Sequence, residues 1–117
     1  MDEGERTRRE VLGDEHVDRT LGSASEYARP FQDYLTDVAW GKVWARPGLD
    51  RRTRSCLTIA LLTALGAENE LPMHLQAAIR NGVTAEEIRE VIIHAGLYAG
   101  IPKANAAMKL ADEAFGG

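Results

Sequence analysis

The stretch Glu70–Pro102, ELPMHLQAAIRNGVTAEEIREVIIHAGLYAGIP, decides the fold. Its punctuation is helical throughout. Pro72 suits a first helical turn, where the amide it lacks would have had no partner. Asn81-Gly82 ends that helix in a left-handed cap. Thr84-Ala-Glu-Glu87 is a capping box, with the Thr84 hydroxyl serving the Glu87 amide and the Glu87 carboxylate reaching back. Beyond it Ile88, Val91, Ile92, Ala95, Tyr98 and Ala99 recur on one stripe at helical spacing. Gly100 caps this second helix, and Pro102 opens a third that carries Ala104, Ala107, Met108, Ala111 and Phe115.

Working back from Glu70, Asp50 is a good N-cap for a helix that runs to about Leu65 and closes at Gly66. That helix is apolar nearly all round, which predicts a central, buried element. Another starts near Pro30 and carries Phe31, Tyr34, Leu35 and Val38. Trp40 and Trp44, four residues apart, can form one aromatic wall, and Pro47-Gly48 marks a turn. The first dozen residues are polar and helix-prone, with only Val11 and Leu12 to bury. A short helical piece, Asp14–Leu21, follows, and Gly22-Ser-Ala-Ser25 breaks it. No strand pattern occurs. The expectation is an all-α, single-domain bundle of five to six helices over residues 1–117, with 1–22 as a peripheral segment. Ile93 and Leu97 fall outside the stripe of their helix, and such a second apolar face predicts a subunit interface and hence a homo-oligomer.

Composition narrows the classes of function. The 117 residues include 14 Lys and Arg against 18 Asp and Glu, a net charge of -4, which argues against a general nucleic-acid binder. No apolar run is long enough to span a bilayer. Met1–Glu10 is highly charged and lacks an apolar core, so no signal peptide is expected and the cytoplasm is the default location. One cysteine, Cys56, excludes a disulfide framework and a cysteine-only metal site. It lies in an apolar run, where a thiol behaves as a small hydrophobe.

The strongest candidate for chemistry is Glu70 with His74. Their spacing stacks both side chains on one helix face, and a carboxylate beside an imidazole orients and tunes a proton donor near neutral pH. The alternative is a satisfied core histidine and a solvated carboxylate at a helix start. A metal site assembled from His16, His74 and His94 ranks last, because no two of them stand at ligand spacing.

Four blocks, in order and without large gaps, resemble the carboxymuconolactone decarboxylase family: Trp40-Gly-Lys-Val-Trp-Ala-Arg-Pro-Gly-Leu49, Arg51-Arg-Thr-Arg-Ser-Cys-Leu-Thr-Ile-Ala60, Glu70–Gly82 and Tyr98-Ala-Gly-Ile-Pro102. Val11-Leu-Gly-Asp-Glu-His-Val-Asp-Arg19 is similar to the decarboxylases proper within that family. The resemblance implies an alkylhydroperoxidase D-like helical fold, assembled as trimers or hexamers with sites near subunit boundaries. Peroxidatic members of the wider superfamily carry Cys-x-x-Cys-x-x-x-His. Matched on His74, the cysteine positions fall on Ala67 and Glu70, so dithiol redox chemistry is excluded.

The implied reaction converts 4-carboxymuconolactone to the enol-lactone of 3-oxoadipate and carbon dioxide, in the protocatechuate branch of aromatic catabolism. The lactone carbonyl, reached through a conjugated double bond, takes up the electrons that the departing carboxylate leaves behind. No cofactor and no metal is therefore expected. The site must hold a dianion, stabilise charge on the lactone oxygen and deliver a proton to a ring carbon. In that light His74 is the first choice of proton donor and Glu70 its tuning partner. Tyr98 can donate to the lactone oxygen or be an amphipathic core residue. Arg51 and Arg54, with Ser55 on the same helix start, are candidates for the dianion, and Arg46 is a weaker one. Trp40 or Trp44 can wall the pocket, and His16 can reach a site across a subunit boundary. His94, four residues before Tyr98, departs from the family pattern as a structural residue. Competing readings are a related decarboxylase or isomerase on another lactone or keto acid, and a non-catalytic oligomer of the same fold.

Overall fold

Prolines and glycines set the helix boundaries. In the computed structural model, which describes residues 1–117, Pro30, Pro72 and Pro102 each stand in the first turn of a helix. The chain is all-α and groups into two compact units, Met1–Arg51 and Arg52–Gly117.

In the first unit α1 (Glu3–Leu12) begins at Asp2, whose carboxylate accepts the Glu5 amide at 2.8 Å. Gly13, at φ 94°, separates it from α2 (Asp14–Ser23). Arg9 ties the two together by reaching Glu5, Asp14 and Asp18 at 3.0, 3.1 and 2.8 Å. The short α3 (Arg29–Leu35) runs on without a break into a nine-residue π-helical segment, Thr36–Trp44. α1 crosses that segment backbone to backbone. A Cβ on Gly4 would stand 2.2 Å from the Thr36 carbonyl oxygen, so only glycine fits the crossing. Val11, Val17 and Trp40 are buried here.

The second unit holds α5 (Leu71–Arg80), α6 (Ala85–Ala99), α7 (Ile101–Phe115) and nearly all of α4 (Arg51–Leu65). Its core is Ile59, Leu71, Leu75, Ala78, Val83, Ile88, Ile92, Ala107 and Ala111, with Cys56 packed against it. The capping box at Thr84 forms as expected, with the Thr84 hydroxyl accepting the Glu87 amide at 3.1 Å and the Glu87 carboxylate accepting the Thr84 amide at 3.0 Å. Gly100, at φ 107°, turns α6 directly into α7, a backbone state that costs other residues far more. Close packing of these two helices relies on Gly96, where a Cβ would lie 2.5 Å from that of Ala104.

Three expectations need correction. Seven α-helices and a π-helical segment replace the expected five to six, because Gly13 divides the N-terminal region into two full helices. α4 is not buried all round. Ser55, Ile59 and Thr63 face the core, while Leu57, Leu61 and Leu65 form an exposed stripe along the other side. Tyr98 does not join the core stripe of α6 but is 79% exposed. At about 100° per residue it falls on the rim of the arc that Ile88, Ile92 and Ala95 bury.

Candidate functional site

α5 positions the Glu70–His74 pair. Leu71, Leu75 and Ala78 fasten one face of this helix into the core. His74, between the first two, sits on the rim of that face. Its imidazole is half-buried, with Nδ1 enclosed. Glu70 is the exposed residue just before the helix, and its carbonyl accepts the His74 amide at 3.4 Å. One turn therefore holds an imidazole partly withdrawn from water and a carboxylate in water.

The start of α4 supplies the other candidates of this unit. Arg54 is half-buried. Ser55 is 1% exposed, and its Oγ accepts the Asn81 side-chain amide at 3.1 Å, which pins the start of α4 to the end of α5. That bond gives Ser55 a structural duty. Arg52 is paired with Glu87. Tyr98 stacks on His94 on the surface of α6, with ring centroids 5.4 Å apart and a tilt of 46°. A cavity of about 540 Å³ opens between the start of α6 and the end of α7. It is lined by Glu86, Arg89, Lys109 and Phe115 among others, and none of the candidate residues reaches it.

In the first unit the structure brings Trp40 and Trp44 together, ring centroids 5.3 Å apart, with Trp40 buried. His16 is half-buried on α2, its Nε2 3.4 Å from the Thr20 hydroxyl. Burial, and then the positive charges of Arg19 and Arg8, pull its pKa below the ordinary histidine value. Arg51 donates to Glu10 at 2.7 Å, which leaves it less suited to a substrate dianion than its place at a helix start implies. Arg46 is exposed.

One residue escaped the sequence reading. Arg8 looks like one more charge on a polar helix, yet it is the one charged residue that is buried. A signal was present, since Arg8 lies four residues after Gly4 and three before Val11, the two small or apolar residues of its face. Burial lowers its pKa from the usual guanidinium value. No three His, Cys, Asp or Glu side chains cluster closely enough to hold a metal ion, and no helix is long and apolar enough to cross a membrane.

Comparison with known proteins supplies the chemical context. The model of the carboxymuconolactone decarboxylase family matches residues 29–113. A 4-carboxymuconolactone decarboxylase from Acinetobacter baylyi is 52% identical over 113 residues, 97% of this chain and 84% of that protein. A nitrosuccinic acid decarboxylase from Metarhizium robertsii is 49% identical over 108 residues, 92% of this chain and 76% of its own length. An alkyl hydroperoxide reductase from Corynebacterium aurimucosum is 31% identical over 108 residues, covering 82% of this chain and 61% of the reductase.

Proposed function

The chain belongs to the carboxymuconolactone decarboxylase family, and we propose that it removes carbon dioxide from 4-carboxymuconolactone to give the enol-lactone of 3-oxoadipate. The observation that carries this reading is the likeness to the Acinetobacter decarboxylase, which runs through nearly the whole of both chains. The bond between the ring carbon and the leaving carboxylate breaks, and its electron pair moves through the double bond into the lactone carbonyl. The resulting dienolate takes a proton on the carbon next to that carbonyl. His74 is the donor in this reading, supported by its half-buried place on the rim of α5. Glu70, one turn away, is its partner in this reading. Arg54, half-buried at the start of α4, serves the substrate's carboxylates in this reading. Tyr98, exposed in the single chain, joins a site only where a second subunit covers it.

That last point fits a homo-oligomer, a trimer or hexamer, built on the exposed apolar side chains Leu57, Leu61, Leu65, Ile93 and Leu97. The reaction belongs to protocatechuate catabolism in the cytoplasm and engages neither nucleic acid nor membrane.

The test is carbon dioxide release from freshly generated 4-carboxymuconolactone by chelator-treated protein, with His74→Ala beside the parent. Turnover in the parent, lost by at least about a hundredfold in a variant that keeps its helicity and assembly, is the expected result. No turnover by a folded parent overturns the reading. The Metarhizium relative favours one second reading. Nitrosuccinic acid is also a dicarboxylic acid, and its nitro group can act as the electron sink in place of the lactone carbonyl. Running both substrates in the same assay separates the two by their kcat/KM values.

A further inference from the structure

The cavity between the start of α6 and the end of α7 lies wholly within the second unit, and the decarboxylation makes no use of it. At about 540 Å³ it falls in the range of small-molecule sites, roughly 300–1,000 Å³. Its lining sorts into a floor and a rim. Met108, Ala111 and Phe115 recur at spacings of three and four along α7 and make the floor. Ala111 belongs to the core, and Met108 and Phe115 are half-buried against it. The rim is charged and exposed, with Glu86 and Arg89 from α6 and Lys109 and Asp112 from α7.

These four charges have an order. Gly100 folds α7 back along α6, so the two helices run antiparallel, and Glu86 and Asp112 both stand toward the open end of the hairpin. Arg89 and Lys109 both stand three residues deeper, about 4.5 Å along the helix axes. Two carboxylates therefore lie at one end of the cavity and two cations at the other. Mutual neutralisation would be the bland use of such charges, since Glu86 with Arg89, and Lys109 with Asp112, are spaced for pairing within their own helices. They do not pair in that way. Arg89 leans on Glu90, which does not line the cavity, at 3.9 Å, and Glu86, Lys109 and Asp112 make no ion pair. The Asp112 carboxylate lies over Gly116 instead. A Cβ added at Gly116 would overlap the Asp112 Oδ1, so the glycine keeps that carboxylate its place at the lip.

We propose that this cavity binds a small zwitterion, a free aromatic α-amino acid. The ligand's carboxylate meets Arg89 and Lys109, its ammonium meets Asp112 and Glu86, and its ring covers Met108 and Phe115. A guanidinium fork suits a carboxylate, and paired carboxylates suit an ammonium with three donors. A thioether and an aromatic ring together favour an aromatic guest over a plain aliphatic one. Glu86 and Asp112 repel a dicarboxylic acid, which separates this site from the decarboxylation.

The test follows the Met108 methyl signal by NMR in the full chain, identified as the one of three methionine signals lost in Met108→Leu. L-Phenylalanine is the probe. 3-Phenylpropionate, which lacks the ammonium, and 2-phenylethylamine, which lacks the carboxylate, are titrated beside it at matched ionic strength. A saturable shift with L-phenylalanine is expected, with each half-ligand bound at least about tenfold more weakly. The double variant Arg89→Gln, Lys109→Gln should bind L-phenylalanine about tenfold or more weakly and 2-phenylethylamine no more weakly than the parent. Asp112→Asn should weaken L-phenylalanine and leave 3-phenylpropionate no weaker. Lys103→Gln, on the same helix but away from the cavity, should match the parent. No saturable shift with L-phenylalanine overturns the proposal. Equal binding of either half-ligand does so too, as does an affinity for L-phenylalanine that survives both charge variants. A Met108 signal that moves with protein concentration in the absence of ligand also overturns it, by giving the cavity to a second copy. Should the double variant fail to fold, the three ligands on the parent decide.

Discussion

Single atoms decide several positions in this chain. At Gly4 an added Cβ would meet a backbone oxygen, which cannot rotate aside, at 2.2 Å. Gly4→Ala is therefore expected to lose about 2–4 kcal/mol in chemical denaturation, since overpacking that moves backbone is costly. Gly22, in the last turn of α2, has nothing within 4 Å of the same added atom. Gly22→Ala is expected to gain about 0.5 kcal/mol, by lowering the entropy of the unfolded chain. An equal response at the two positions would show that the backbone crossing at Gly4 does not form. At this scale the sequence was only partly legible. The spacing of Glu70 and His74 was visible at once, because one helix fixes it. The burial of Arg8 was not, because it depends on Gln32 and Thr36, residues some 24 and 28 positions away in the chain. Asn81 likewise occupies Ser55 from 26 positions away, and nothing local to Ser55 announces that bond.

Helices start and stop here for local reasons, and those reasons could be read. The Thr84 box, Gly66, Gly100 and the three first-turn prolines all stand where the one-dimensional pattern put them. Thr84→Ala removes the acceptor of the Glu87 amide, and a loss of about 1 kcal/mol is expected in thermal or denaturant unfolding. Thr84→Ser keeps the acceptor and should hold nearly all of that stability. If Ala and Ser behaved alike, the hydroxyl would not be capping α6. What local pattern misjudged was which way a helix faces. α4 is apolar on two sides, and periodicity does not tell a helix buried on both sides from one buried on a single side with a free second face. The core takes Ile59 and leaves Leu61, at 60% exposed, in water.

For the molecule as a whole, the exposed stripe of α4 and the outer face of α6, where Leu97 is 73% exposed, are the surface to explain. Three leucines at intervals of four residues make a continuous apolar ridge, more than scattered surface hydrophobes require. Leu61→Glu and Leu97→Glu are expected to yield a smaller species by light scattering after size exclusion, with helicity kept. Their unfolding temperature should also lose the dependence on protein concentration that an obligate assembly shows. An unchanged mass in both variants would overturn the proposed assembly through this surface. The second apolar face of α6 was visible in the sequence from Ile93 and Leu97. That α4 has one too became visible only once three dimensions had assigned its inner side.

The π-helical segment Thr36–Trp44 carries a consequence for how this chain can vary in length. Its carbonyls bond five residues ahead rather than four, so each turn holds more chain than an α-helix would. Substitution leaves that pitch in place. Deleting a single residue lets the ordinary ladder resume at almost no cost in hydrogen bonds, but turns everything downstream by about 100° around the helix axis. Trp44 would leave the face it shares with Trp40. Among natural variants this region should therefore tolerate changes of letter far better than changes of count, and a gap here should come with a compensating insertion nearby.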